Sequence, residues 1–324
     1  MPENKKKGIG ALLAKLALFL LPVFVYFAVF IIFEPYNYFG VQNNATESDQ
    51  VIYRVRQFVN NPQDAIILGD SRMAHMDMAQ VEALTGRKFS NLAFGGAAEN
   101  EMIDLCEFAL ERNPDIDTVY LEVSFYSLNA RYDKNRVSNI ETIVTNPLAY
   151  LFNFDYNIEM LNRIRLHLQG AYLGVENETA VDPVTGELKY TEADYHDENG
   201  DPLPYRRQLL DYNEVIRPIC TNYTLNEAAL QRLVELAALC EERGVQLHFV
   251  LPPVADSVYN EIILGMDIEP HLAEIVETLK ATGADVIDLE YSARPALEEY
   301  MFFDGFHVDS TLALPLVAEM IFGK

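Results

Sequence analysis

The stretch DAIILGDSRMAH, residues 64–75, runs apolar as far as Leu68 and then breaks into Gly69, Asp70 and Ser71. An apolar run without polar alternation is typical of a strand that is covered on both faces of a parallel sheet. A serine just beyond the carboxyl end of such a strand lies where α/β folds bind their ligands. Because serine is also a favoured helix N-cap, Ser71 could serve only to begin the following helix.

Further apolar segments of the same kind occur along the chain: FSNLAF (89–94), TVYLEVS (118–124), VQLHFVLPP (245–253) and ADVIDLE (284–290). Helical patterns stand between them, and the one at 225–244 ends in a glycine suited to cap a helix. Alternation of strands and helices predicts an α/β fold in which a five-stranded parallel sheet is sandwiched between helices, with right-handed crossovers.

The N-terminus differs from the rest of the chain. MPENKKK is followed by an apolar stretch from Gly8 to Phe33 whose only charge is Lys15. As a helix, Leu16 to Phe33 would rise roughly 27 Å, close to the thickness of a bilayer core. Because the lysines precede this stretch, we predict a cytoplasmic tail and transmembrane anchor over 1–33 and an extracytoplasmic domain over 34–324. A cleaved signal peptide is the alternative, but FEPYNYFG offers no small-residue cleavage site.

Charge and cysteine content exclude several functions. Residues 34–324 carry 20 basic and 48 acidic side chains, so this domain repels nucleic acid, and we predict no nucleic-acid partner. The cysteines, Cys106, Cys220 and Cys240, have no C-x-x-C spacing and lie in apolar contexts. We therefore expect buried, unpaired cysteines, no metal site and no cofactor.

The segment from about 130 to 223 is too long for an ordinary connection, and we interpret it as an insertion. Its first half (146–170) is helical and aromatic in pattern and could lie over the strand ends. Its second half (177–205) is acidic and turn-rich, with hairpins predicted at 183–186 and 199–200.

The chain offers partners for a serine nucleophile near its C-terminus. In FFDGFHVDS, Asp304 and His307 lie three residues apart, so the carboxylate can orient the imidazole while the other ring nitrogen activates Ser71. An oxyanion hole could come from the backbone amide of Ser71 and from Gly95 and Gly96 after the second strand. His75, four residues after Ser71, is expected to face the sheet or solvent rather than act as the base.

Together these motifs resemble a known family. The G-D-S at Gly69–Ser71, the glycine turn after the second strand and the D-x-x-H at Asp304–His307 look like the first, second and fifth blocks of the SGNH/GDSL hydrolase superfamily. The resemblance covers residues 62–130 and 245–324. The family's third block, G-x-N-D, has no counterpart, since FYSLNAR stands in its place; Asn129 could supply that oxyanion donor, or Ser124 or a nearby backbone amide could replace it.

The resemblance implies a three-layer α/β/α sandwich, the flavodoxin-like SGNH fold, with a Ser71–His307–Asp304 triad. The anchor and the insertion look like the membrane-anchored extracytoplasmic branch, similar to the D-alanyl-transfer protein of teichoic acids and alginate-type O-acetyltransferases. This implies a serine acyl-ester hydrolase or O-acyltransferase in the cell envelope. Its substrate would be an acylated cell-envelope polysaccharide or a small acyl ester, and a multi-span membrane acyltransferase could be its partner. The alternative is a non-catalytic scaffold of the same fold that binds such an acyltransferase or a glycan.

Overall fold

The computed structural model describes residues 3–41, 51–173, 216–302, 304–309 and 311–323. Its centre is an all-parallel five-stranded sheet with the order β2-β1-β3-β4-β5. The strands are β1 (Ala65–Leu68), β2 (Ser90–Asn91), β3 (Thr118–Glu122), β4 (Gln246–Leu251) and β5 (Asp285–Asp288). The predicted α/β class and parallel sheet are confirmed. Each strand is shorter than its apolar segment, because the apolar run continues into the loop beyond the last paired residue.

The helices are α1 (Glu3–Phe33), α2 (Val51–Asn60), α3 (Ser71–Ala74), α4 (Met78–Thr85), α5 (Glu99–Arg112), α6 (Ile140–Thr145), α7 (Pro147–Leu151), α8 (Phe154–Leu173), α9 (Glu227–Arg243), α10 (Glu269–Ala281) and α11 (Leu314–Phe322). Shorter helical turns lie at Asp256–Val258, Tyr259–Leu264 and Glu299–Met301. Helix α9 ends as predicted at a glycine, since Gly244 adopts a left-handed φ of 71°.

The strand order explains which face each helix covers. The chain passes from β1 to β2 in one direction and then from β2 across β1 to β3, β4 and β5 in the other. With right-handed crossovers, this reversal places α5, α9 and α10 on one face of the sheet. Helices α4 and α11 pack together over the other face. Alternate strand residues accordingly point into two apolar cores, Leu121 and Phe249 into one, Ile67 and Val250 into the other.

Helix α1 is long and apolar enough to cross a membrane. Its qualifying stretch, Ala14–Phe33, has a mean hydropathy of 2.9. The cysteines Cys106, Cys220 and Cys240 are buried and unpaired, as expected.

The connection between β3 and β4 departs from the expected placement. The hairpins predicted at 183–186 and 199–200 lie outside the described residues. The aromatic helices α7 and α8, which could lie over the strand ends by their pattern, pack against each other in the structure, and α8 packs on α1. Tyr150 of α7 packs in an aromatic cluster with Phe30 and Tyr38. Residues 132–136 instead contact the glycine turn after β2.

Candidate active site

Ser71 lies at the point where the sheet changes its direction of winding. It follows β1, whose neighbours β2 and β3 receive connections that run to opposite sides, and such a switch point leaves a crevice at the carboxyl ends of the strands. The N-cap of α3 is Asp70, whose Oδ1 accepts the backbone N–H of Arg72 at 2.7 Å. Ser71 is therefore the first residue of the helix and not its cap, so its hydroxyl is available for another partner.

The hydroxyl of Ser71 meets the predicted histidine. Ser71 Oγ lies 2.6 Å from His307 Nε2, and His307 Nδ1 lies 2.5 Å from Asp304 Oδ2. The other carboxylate oxygen of Asp304 accepts the backbone N–H groups of His307 at 2.7 Å and Phe306 at 3.0 Å. Gly305, with a left-handed φ of 85°, allows the tight turn that brings Asp304 back onto the imidazole. The structure thus brings Ser71, His307 and Asp304 into one hydrogen-bonded line.

Electrostatics within this line favour a charged Asp304 and a basic His307. Burial alone would raise the pKa of Asp304, but the charge of His307 and the hydrogen bonds from its ring and backbone bring the pKa below the usual value for aspartate. Burial alone would lower the pKa of His307, but the charge and hydrogen bond of Asp304 outweigh it and the pKa lies above the usual value for histidine. Asp304 therefore accepts the Nδ1 proton, and Nε2 faces Ser71 as the proton acceptor.

The side chains of this line are largely buried and only partly reach the surface. The side chains of His307 and Asp304 are 15% and 14% exposed. The cavity that touches His307 has a volume of about 10 Å³, room for about one water molecule. Larger cavities, of about 350 and 380 Å³, lie at the amino ends of the strands, away from Ser71.

The predicted oxyanion donors differ in where the structure places them. As the first residue of α3, Ser71 has a backbone N–H without an intrahelical acceptor. The turn at Gly95 and Gly96 is held by Arg136, whose guanidinium donates to the carbonyl oxygen of Gly95 at 3.1 Å and of Gly96 at 2.7 Å. In a trans peptide the C=O and N–H point in opposite directions, so Arg136 fixes the Gly96 N–H to face away from it.

Asn129 is engaged elsewhere. Its side-chain amide donates to the carbonyl oxygen of Ile219 at 2.7 Å, and its Oδ1 accepts the backbone N–H of Arg131 at 3.1 Å. These hydrogen bonds join the start of the β3–β4 connection to its end, so both polar groups of the Asn129 side chain have a structural role. The alternative donor, Ser124, bonds to Glu290 at 3.0 Å.

Sequence reasoning missed a buried ionic cluster beneath Ser71. Glu122, the last residue of β3, accepts the backbone N–H of Asp70 at 2.9 Å and the guanidinium of Arg72 at 2.6 Å. The guanidinium of Arg72 also lies 3.6 Å from Glu290, which follows β5. All of these side chains are at least 94% buried. The sequence signal for this cluster was the acidic residue at the end of each of two apolar strands, because the carboxyl ends of parallel strands lie at the same edge of the sheet.

Three carboxyl groups of this region have raised pKa values. Burial, together with the charge of Asp70, raises the pKa of Glu122 well above the usual value for glutamate. Burial is the main cause for Glu290, whose pKa rises to about 7 although Arg72 and Ser124 act in the opposite direction. Burial also raises the pKa of Glu99, at the start of α5, to about 8, while its hydrogen bond with Ser127 lowers it and the charge of Asp70 raises it further.

His75 lies closer to the line than expected. Its ring centroid is 6.1 Å from that of His307, so a positive charge on His75 opposes protonation of His307. The helix α3 ends at Ala74, and His75 then lies towards the β5–α11 loop that carries His307. The four-residue spacing from Ser71 did not predict this position.

Comparison with known proteins gives no family to this chain. No protein-family model matches the sequence, and no curated protein matches it. The resemblance to SGNH/GDSL hydrolases thus stands on the quoted motifs and on the geometry around Ser71, and it stays a prediction.

Proposed function

We propose that this protein is a membrane-anchored serine enzyme that transfers acyl groups from an ester to water or to a hydroxyl acceptor, with Ser71, His307 and Asp304 as its triad. The observation that carries the proposal is the continuous hydrogen-bonded line from Ser71 Oγ through both ring nitrogens of His307 to Asp304. A serine used only for capping or packing has no need of an oriented imidazole.

In the first half-reaction, His307 Nε2 takes the proton of the Ser71 hydroxyl while Oγ attacks the acyl carbonyl carbon. Negative charge develops on the carbonyl oxygen, and the backbone N–H groups of Ser71 and of the Gly95–Gly96 turn are the donors proposed to stabilise it. The tetrahedral species then collapses, its bond to the leaving oxygen breaks, and His307 returns the proton to that oxygen. Asp304 stabilises the imidazolium between these two transfers.

In the second half-reaction, a water or hydroxyl oxygen attacks the Ser71 acyl ester, and His307 again accepts and returns a proton. Hydrolysis and transfer use the same residues and differ in which oxygen reaches the acyl-enzyme. The anchoring helix favours a polymer hydroxyl close to the membrane as the acceptor. We propose O-acylated glycans of the cell envelope as the substrate class, within the SGNH/GDSL superfamily.

The proposed cellular arrangement follows from charge and hydropathy. Helix α1 anchors the chain, the lysines at its N-terminal end stay in the cytoplasm, and residues 34–324 lie outside with the 130–223 segment as an insertion. An acyl donor on the outer face would then come from a multi-span membrane acyltransferase, because acyl carriers made in the cytoplasm must cross the bilayer.

Turnover of a short-chain nitrophenyl ester by the detergent-solubilised full chain tests the proposal. Wild type should release nitrophenol, and Ser71→Ala and His307→Ala should each reduce the rate by about 10³-fold or more. His271→Ala is the matched control, because His271 lies on α10 with its side chain 39% exposed. Equal rates for wild type and Ser71→Ala would contradict the triad. Adding an oligosaccharide acceptor separates the two outcomes, since transfer gives an acylated sugar.

A further inference from the structure

Helices α7 and α8 expose large apolar side chains to an unusual extent. Phe152 is 63% and Phe154 76% exposed, and the other members of this surface are Leu148, Ile158, Leu161, Leu166 and Leu168. We call these residues the α7–α8 apolar surface. Contiguous apolar surface of this kind is rare on a soluble face and marks a contact with a membrane or another protein.

The apolar surface is a separate face of α8 and not a by-product of its packing. Phe154, Ile158, Leu161 and Leu168 recur at helical spacing and share one side of the helix, where the exposed Arg165 lies between Leu161 and Leu168 with a stem long enough to carry its charge towards the headgroups. The side that packs into the domain core is a different one, formed by Tyr156, Met160 and Ile164. Packing of α8 against the domain therefore leaves its second apolar face exposed.

This surface is continuous with the helix that is long enough to span a membrane. Tyr26 of α1 donates to the carbonyl oxygen of Leu151 at 3.0 Å and to Asn157 Oδ1 at 2.8 Å. The rings of Tyr26 and Phe27 also lie 6.4 and 6.2 Å from the ring of Phe152. These contacts fix the corner between α7 and α8 to the side of α1.

The position along α1 sets the depth of the corner. Tyr26 precedes the end of the apolar stretch at Phe33 by about two helical turns, which is roughly 10 Å along the helix axis. A corner attached at Tyr26 therefore lies at the level of the spanning helix, below the point where α1 leaves the bilayer. If α1 spans the membrane, exposed phenylalanines at that level meet lipid and not water.

We propose that the α7–α8 apolar surface inserts into the membrane leaflet on the domain side, as a second contact with lipid beside α1. The proposal rests on the membrane-spanning role of α1 and does not depend on the acyl-transfer chemistry. Two points of attachment would hold the domain in one orientation on the membrane, whereas α1 alone would leave it free to rotate about a single link.

The absence of tryptophan from the sequence provides a direct test. We would place a single tryptophan by Phe154→Trp in the full chain, reconstitute one molecule per phosphatidylcholine nanodisc, and compare plain lipid with lipid brominated on its acyl chains. The expected result is a blue-shifted emission that loses most of its intensity in brominated lipid. Leu161→Trp provides a second probe on the same surface.

Matched tryptophans make the outcomes distinct. Leu21→Trp, at a 52% exposed position on α1, should be quenched by brominated lipid, and Leu316→Trp, 41% exposed on the opposite side of the sheet, should not. Quenching at Leu21→Trp without quenching at Phe154→Trp and Leu161→Trp would overturn the proposal and leave the anchor intact. Failure of Leu21→Trp to be quenched would overturn the anchor and this proposal together. Blue-shifted emission at Phe154→Trp that bromine leaves unchanged would place a protein surface there and would also overturn it.

Discussion

Replacement of Gly69 by alanine should disturb the floor of the site more than its size suggests. A Cβ at position 69 would lie 2.5 Å from Glu122 Oε2 and 2.6 Å from the Cβ of Met73. Both neighbours are fixed, because Met73 is fully buried and Glu122 binds the backbone of Asp70 and the guanidinium of Arg72. Overpacking of this kind costs about 1–3 kcal/mol, and loss of a hydrogen bond to a charged group costs roughly 1.5–3 kcal/mol.

We therefore expect Gly69→Ala to lower the free energy of unfolding by about 3 kcal/mol, or the thermal midpoint by roughly 5 °C. Circular dichroism of the full chain in detergent would measure the midpoint. Gly95→Ala is the matched control, because no atom lies within 4 Å of a Cβ built there, and its midpoint should stay near that of wild type. Equal midpoints for Gly69→Ala and Gly95→Ala would refute the assignment of Glu122 as a fixed support of the Ser71 turn.

Three further predictions concern charge. Asp304→Asn removes the charge that raises the pKa of His307, so turnover should fall by roughly 10³-fold. The acid limb of the pH–rate profile should also move to lower pH, and an acid limb that stays in place would argue against the pairing of Asp304 with His307. Arg136→Ala removes one support of the glycine turn, while Tyr132 and Lys134 still bond to the Gly96 carbonyl oxygen, so turnover should fall by about tenfold, less than the roughly 10²–10³-fold loss for a direct oxyanion donor. Arg136→Lys should recover part of this loss, and wild-type turnover in Arg136→Ala would show that the turn needs no support from Arg136. Burial raises the pKa of Glu99 to about 8 in the folded state, so the folded protein binds more protons than the unfolded one, and the free energy of unfolding should fall as pH rises from about 4.5 to 8. Denaturant titrations at several pH values should show a shallower fall for Glu99→Gln. Parallel curves for wild type and Glu99→Gln would contradict the raised pKa.

The sheet was predictable because its strands are buried on both faces. Segments such as those at 64–70 and 118–124 must be apolar throughout when helices cover both sides, and this pattern survives in the sequence without knowledge of the partners. The placement of Ser71, His307 and Asp304 was predictable for a related reason. Ser71 follows a strand directly, and the three-residue spacing of Asp304 and His307 is local, so little tertiary information was needed.

What could not be predicted depends on contacts between distant parts of the chain. Arg136 holds the turn at Gly95 and Gly96 from about forty residues away, and no periodicity marks it. The attachment of α7 and α8 to α1 depends on aromatic rings such as Tyr26 and Tyr150 that are far apart in sequence. Asn129 matched a missing family block by position alone, and its bond to the carbonyl of Ile219 is visible only in the folded chain.

The most direct test of the central claim is covalent labelling of the full chain with a fluorophosphonate, followed by peptide mass spectrometry. A fluorophosphonate phosphonylates a serine that an adjacent base deprotonates, and fluoride leaves. We predict one phosphonylated residue, Ser71. Labelling should be abolished in Ser71→Ala and strongly slowed in His307→Ala. Ser138→Ala removes an exposed serine outside the site and should label like wild type. Absence of labelling in folded wild type, or labelling that persists in Ser71→Ala, would contradict the account.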